Sequence, residues 1–144
     1  MINNLFTIYL IFTLAIVGIF HFYWAFGGVL GKDKVIPKKD GKLLFNPSSI
    51  LTFIVGILMF LFLYIAYIVQ FYDLKLIVYG KYIIYSVWLL SGLFLLRAIG
   101  DFKTIGFFKT VKYTRFAKYD TRFFSPLVLS WAIIFALLAY QNYL

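Results

Sequence analysis

The sequence has no cysteine and no glutamate, and five aspartates supply all of its side-chain negative charge. Without cysteine, disulfides, thiolate chemistry and cysteine-ligated metal sites are excluded. Charge of either sign is scarce. Only 13% of the 144 residues are charged, against about one quarter in a soluble domain. So few polar side chains cannot cover a globule in water. Proline is rare too, with three in the chain, so long helices have few interruptions.

What fills the sequence is apolar. Hydrophobic residues make up 64% and aromatics 23%, and the mean hydropathy is +0.95. A bilayer is the solvent that suits such a chain. A helix crossing the ~30 Å hydrocarbon core needs about 20 residues. Segments 4–26, 49–71, 76–99 and 126–143 each come close to that length or exceed it, with Lys81 able to snorkel outward from the third. The first lacks a positively charged start and a small-residue cleavage site, so it reads as a retained span rather than a signal peptide. Asn46-Pro47-Ser48-Ser49 and Ser125-Pro126 predict helix starts, and Gly27-Gly28 predicts a helix end. The expected fold is all-α: a polytopic membrane protein, one four-helix up-down bundle over residues 1–144.

The net charge is +9, with a pI near 9.7. In a soluble protein that balance would point to nucleic acid. Here the cations sit between the apolar runs, and no nucleic-acid module is present, so nucleic acid is not an expected partner. Segment 29–48 holds Lys32, Lys34, Lys38, Lys39 and Lys42, and segment 101–125 holds Lys103, Lys109, Lys112, Arg115, Lys118 and Arg122. The opposite side has only Lys75 and Lys81. Eleven against two places both long loops in the cytoplasm and both termini outside. Each half of the chain then repeats a span, a basic loop and a Pro-started span, as any four-helix up-and-down bundle does at low resolution. In the second loop Phe102, Ile105, Phe108 and Val111 recur every three residues. That spacing, with so many aromatics among the cations, predicts an interfacial amphipathic helix; the plainer alternative is a solvated basic loop.

The topology gathers the polar residues in one leaflet. His21 and Trp24, at i and i+3, lie near the inner end of the first span, and Arg97 and Asp101 near that of the third. Lys109, Arg115 and Asp120 lie in the second loop and Ser125 at its close. Arg97 and Asp101 are one helical turn apart and can pair. One reading makes them an interfacial anchor with its own counter-ion. The other makes them an inward-facing polar site with His21, since intramembrane ionisable groups often mark function. His21 is the only histidine. A lone histidine more often packs than ligates, yet it is the residue type that changes charge near neutral pH. A His21 contact with Asp101 or Asp120 is geometrically open. Gly18 and Ala25 flank that face and allow close helix approach.

Catalytic signals are weak. Ser125, His21 and an Asp can be written as a triad, but there is no G-x-S-x-G elbow, and Ser125 before Pro126 reads as a helix cap. One histidine with scattered aspartates does not make a metal site. A second axial histidine for haem and a Gly-rich phosphate loop are both missing. No cofactor, metal or catalytic residue is assigned.

The set H-x-Y-W-A-x-G-G (His21 to Gly28), R-x-I-G-D-F (Arg97 to Phe102), G-F-x-K (Gly106 to Lys109), F-A-x-x-D-T (Phe116 to Thr121) and S-P-L (Ser125 to Leu127) resembles a family of small bacterial membrane proteins, catalogued as a domain of unknown function. The resemblance covers nearly the whole chain. It implies a four-helix protein of the bacterial inner membrane and supplies no activity.

Three functions compete. The first is a binding module whose pocket in the cytoplasmic leaflet, built from His21, Trp24, Arg97, Asp101 and Asp120 with help from Lys109 and Arg115, takes an anionic lipid head group or small amphiphile. The second is a small proton-coupled transporter using His21, against which no acid lies deep in a span. The third is a lipid-modifying enzyme with His21 as base, which no motif supports. Expected partners are membrane lipids, a small amphiphile and a second copy of the chain.

The loop charges generate a topology test, and the absence of native cysteine makes it clean. Cysteines at Lys39 and Lys112 should be shielded from an impermeant external thiol reagent, while one at Asn142 should react. Labelling of both loops from outside would reverse the orientation.

Overall fold

In a computed structural model the described residues are 4–39, 42–44 and 46–143. Residues 1–3, 40, 41, 45 and 144, and so both ends of the expected 1–144 unit, lie outside them. Six α-helices are present among the described residues: α1 (Asn4–Ala25), α2 (Lys32–Val35), α3 (Ser49–Phe71), α4 (Gly80–Ile99), α5 (Arg115–Tyr119) and α6 (Ser125–Tyr143). A two-residue antiparallel ladder, β1 (Lys38–Lys39) with β2 (Lys42–Leu43), pairs Lys38 with Leu43 and Lys39 with Lys42. Helices α1, α3 and α4, and the run Arg115–Asn142, are long and apolar enough to cross a membrane.

The bundle is two helical hairpins side by side, α1 on α3 and α4 on α6. Small residues let the first close. A Cβ at Gly18 would lie 2.8 Å from the Phe60 ring, and one at Gly56 would lie 2.6 Å from the Phe22 ring. Each glycine is thus the seat for a phenylalanine of the facing helix, and the two rings stack at 5.7 Å. The second hairpin packs Phe94 between Trp131 (5.1 Å, edge-on) and Phe135 (5.8 Å, stacked). Leu10, Leu14, Val87 and Leu138 complete a core shared by both hairpins.

In lipid, hydrophobicity alone does not bring helices together, so interhelical hydrogen bonds and packing specify the contacts. Trp131 donates its indole N–H to the Thr13 hydroxyl (2.8 Å), and the Ser91 hydroxyl donates to the Ala132 carbonyl (2.8 Å). At the end bearing the termini, Thr7 donates to Gln70 (3.0 Å) and Gln70 to Asn4 (2.8 Å). The outward faces are apolar, with Phe12, Leu89 and Leu96 exposed.

Two sequence expectations change here. The stretch after α4 forms no helix over 102–111, so the interfacial amphipathic helix is replaced by an irregular folded loop. The chain reverses at Gly100, at φ 92° and ψ −170°, a conformation open essentially to glycine. It then folds back so that the Phe107 and Phe108 amides donate to the last carbonyls of α4, at Ala98 (2.9 Å) and Ile99 (3.4 Å). Phe102, at φ 59°, and Gly106, at φ 86°, are likewise incompatible with a continuous helix. The every-third-residue pattern was real but local backbone capture overrode it.

The fourth helix also starts earlier than Ser125-Pro126. Its N-cap is Thr114, whose hydroxyl accepts from the Ala117 amide at 3.0 Å. Helix α5 runs through a π turn (Asp120–Phe124) directly into α6. Ser125 is therefore an interior helical residue, not a cap. The widened turn just before Pro126 absorbs the clash a proline makes with the preceding turn.

Gly100→Ala should fold poorly, because its Cβ would collide with the Ile105 carbonyl at a φ that alanine avoids. Gly92→Ala has open space around the new methyl and is the control. Thermal unfolding in detergent should show a loss of several degrees for the first and none for the second.

Candidate functional site

The loop after α4 and the start of the fourth helix meet on one side chain. Asp120 is fully buried. Its Oδ1 takes Arg97 Nη2 at 2.8 Å, and its Oδ2 takes Lys109 Nζ at 2.9 Å and the Gly106 amide at 2.8 Å. Lys109, itself 2% exposed, also donates to the Gly106 carbonyl at 2.6 Å. An apolar setting punishes an unpaired charge, so a carboxylate this deep requires such a set of donors. The cluster holds two cations and one anion, and carries one excess positive charge. Among the described residues, Arg97 Nη1 and the Ser125 hydroxyl are buried without a hydrogen-bond partner. Ser125 follows Asp120 by one π turn, its amide donating to the Asp120 carbonyl.

Asp101 is not the partner of Arg97. Its Oδ1 accepts the amides of Lys103 (2.9 Å), Thr104 (2.6 Å) and Ile105 (2.8 Å), and the Thr104 hydroxyl donates to Oδ2 at 2.6 Å. Helical spacing made Arg97–Asp101 the obvious local pair. The chain reversal at Gly100 instead turns Asp101 to cap the loop, a role aspartate side chains take readily. Burial raises the Asp101 pKa, but the Thr104 hydroxyl and the three amides outweigh it and hold the carboxyl well below its ordinary 3.8. Its stabilising effect is therefore present above that value and fades as the pH falls below it.

His21 stands apart from this cluster. Its Nδ1 lies 2.8 Å from the Val17 carbonyl, which can only accept, so Nδ1 carries a proton and Nε2 remains as the ring's other polar atom. The Trp24 ring meets it edge-on at 5.4 Å, and the Trp24 indole donates to the Leu30 carbonyl at 2.8 Å. The two residues line a cavity of about 160 Å³ with Lys32, Asn46, Ser49 and Thr52. The start of α3 forms one wall and α2 another. Reading the sequence missed Lys32, Asn46, Ser49 and Thr52. The signal was available: the Asn46-Pro47-Ser48-Ser49 helix start and the His21–Trp24 helix end fall at one depth of the same hairpin.

Arg115 lies elsewhere again. It pairs with Asp33 of α2 at 2.6 Å on the surface, and this hydrogen bond, before all else, lowers the Asp33 pKa. Nearby, Lys34 lies over the Tyr119 ring at 5.2 Å. The seven candidate residues thus separate into a buried cluster (Arg97, Lys109, Asp120), a loop cap (Asp101), a cavity wall (His21, Trp24) and a surface tie (Arg115). Among the described residues no group of three or more histidines and acids comes together to hold a metal.

A family model described as "Protein of unknown function (DUF3995)" matches residues 14–135. The chain belongs to this family. The matched range takes in every residue of the buried cluster, the loop cap and the His21 cavity. No curated protein and no solved structure matches the chain. Within the matched range of this DUF3995 chain, the stretches R-x-I-G-D-F, G-F-x-K and F-A-x-x-D-T supply Arg97, Gly106, Lys109 and Asp120 to one cluster.

Asp120→Asn leaves two cations facing a neutral amide, one of them deeply buried. It should lower stability by about 3–5 kcal/mol, the range for breaking a buried ion pair from one side. Asp101→Ala removes a cap and should lower it by about 1 kcal/mol. Reversible unfolding in mixed micelles measures both; equal losses would mean that Asp120 is not the centre of the cluster.

Proposed function

We propose that the protein is a binding module of the bacterial cytoplasmic membrane, with both termini outside, that holds an anionic head group of a lipid or small amphiphile in the His21 cavity. The observation that carries this reading is the composition of the cavity wall. In a chain with 13% charged residues, one open cavity at the basic-loop end gathers Lys32, His21, Asn46, Ser49 and Thr52. Lys32 supplies the charge for an anion. Ser49 opens α3, a 23-residue helix whose first amides point toward its N-terminal end and favour negative charge there. Trp24 supplies an apolar wall for the glycerol or acyl part. The buried cluster around Asp120 serves this reading as scaffold, since one carboxylate ties both of its cations into the fold.

The probe is phosphatidylglycerol against phosphatidylcholine, added to purified protein in detergent. Phosphatidylglycerol should raise the melting temperature, and Lys32→Ala should weaken its apparent affinity about tenfold, as loss of one charge-assisted hydrogen bond does. Equal shifts with the two lipids, or a Lys32→Ala protein that responds as the parent does, would defeat the reading.

A further inference from the structure

The aspartates of the described residues are all engaged. Asp120 is taken by Arg97 and Lys109, and Asp33 by Arg115. Asp101 caps the loop, and Asp73 caps the turn at the opposite end by accepting the Lys75 amide at 2.9 Å. Among the described residues six cations at the basic-loop end have no side-chain partner, Lys32, Lys42, Lys103, Lys112, Lys118 and Arg122, and the last three lie together. Lys112, Lys118 and Arg122 are exposed, and none of them has an ion pair or side-chain hydrogen bond among the described residues.

These three cations line one groove of about 840 Å³ together with Phe107, Tyr119 and Phe123. The helix explains the arrangement. Lys118 and Arg122 are four residues apart, as are Tyr119 and Phe123, so a basic row runs beside an aromatic row. The two aromatic rings stack at 5.9 Å, and Phe123 is 55% exposed. Two like charges one turn apart repel, and nothing within the described protein offsets them. The groove lies where α5 passes into the fourth apolar run, at the basic-loop end of a helix long and apolar enough to cross a membrane.

We propose that this groove is a second lipid site, separate from the His21 cavity, and that it seats a phospholipid bearing two phosphates. Charge complementarity selects the occupant. A single phosphodiester brings one negative charge to three unmatched cations, whereas a head group with two phosphates spans both the Lys118–Arg122 row and Lys112. The exposed Phe123 and Phe107 rings suit the glycerol and first methylenes of a lipid already in the bilayer. A soluble anion would leave them bare, and an acidic protein segment would have to displace lipid to reach them. The proposal rests on the chain spanning a membrane, not on the function assigned to the His21 cavity.

The test is thermal unfolding of the full chain in detergent, titrated with cardiolipin, phosphatidylglycerol, phosphatidylcholine, inorganic pyrophosphate or polyglutamate. Cardiolipin should raise the melting temperature by several degrees and phosphatidylcholine should not. The triple variant Lys112→Gln/Lys118→Gln/Arg122→Gln alters only exposed side chains, and should fold and lose at least tenfold in apparent cardiolipin affinity. Lys32→Ala should keep the excess of the cardiolipin response over that to phosphatidylglycerol, which separates this site from the His21 cavity. An excess that survives in the triple variant overturns the proposal, as does one lost equally in Lys32→Ala. Pyrophosphate acting as well as cardiolipin would make the groove a soluble-anion site, and polyglutamate doing so would make it a protein-docking surface; either result overturns it.

Discussion

The structure at the basic-loop end depends on one buried carboxylate. Asp120 sits in the π turn between α5 and α6, and each of its oxygens is taken by a cation from another segment: Arg97 from α4 and Lys109 from the loop between. The Gly106 amide adds a third donor. Remove that charge and the loop loses the side chain that joins it to α6, while a lysine with 1% side-chain exposure loses its counter-ion. A low-dielectric setting strengthens a fully satisfied network and makes a partly satisfied one expensive. The loop from Gly100 to Thr114, almost devoid of regular structure, is therefore held in one shape by these side chains together with scattered backbone bonds, such as those of Phe107 and Val111.

The spans were legible because the requirement behind them is crude. About 20 apolar residues cross a bilayer whatever their order, and α3 occupies Ser49–Phe71 as read from hydropathy and the Asn46–Ser49 cap. The third span was read a few residues long, because Leu74–Leu76 is a separate 3-10 turn before α4. The polar partners were not legible in the same way. Periodicity reports neighbours on a helix, so it offered Asp101 to Arg97. It cannot report that a glycine four residues before a hydroxyl-bearing turn will reverse the chain and give Asp101 three amides to cap. The true partner lies 23 positions on, across a loop whose path no local pattern encodes. Ser125 misled for a related reason: a Ser-Pro pair marks a helix start unless the turn before it is widened, and the π turn at Asp120–Phe124 does that here.

Between the long helices the same economy of polar groups recurs. Thr13 with Trp131, Ser91 with the Ala132 carbonyl, and Thr7 with Gln70 each place one hydrogen bond at a helix crossing. In a bilayer the unfolded reference is still a set of lipid-solvated helices, so each bond is worth only about 1 kcal/mol. Their value lies in position. With Gly18 and Gly56 admitting Phe60 and Phe22, they allow one register between helices whose outer faces are uniformly greasy.

The two hairpins meet differently at the basic-loop end, and this bears on how the proposed head-group cavity works. Its α2 wall, carrying Lys32, touches the second hairpin through Asp33–Arg115 and through Lys34 over Tyr119. Both contacts are on or near the surface. An exposed ion pair contributes about 0–1 kcal/mol and is screened by salt. The Lys109–Asp120 pair, by contrast, is sealed, with side chains 1% and 0% exposed. The second hairpin thus presents an end fixed by buried charge, beside which the α2 wall of the first is tied by surface electrostatics and by the buried Ile36 that follows it. Strong and weak electrostatics lie side by side here because burial, not the number of ion pairs, decides which of them yields.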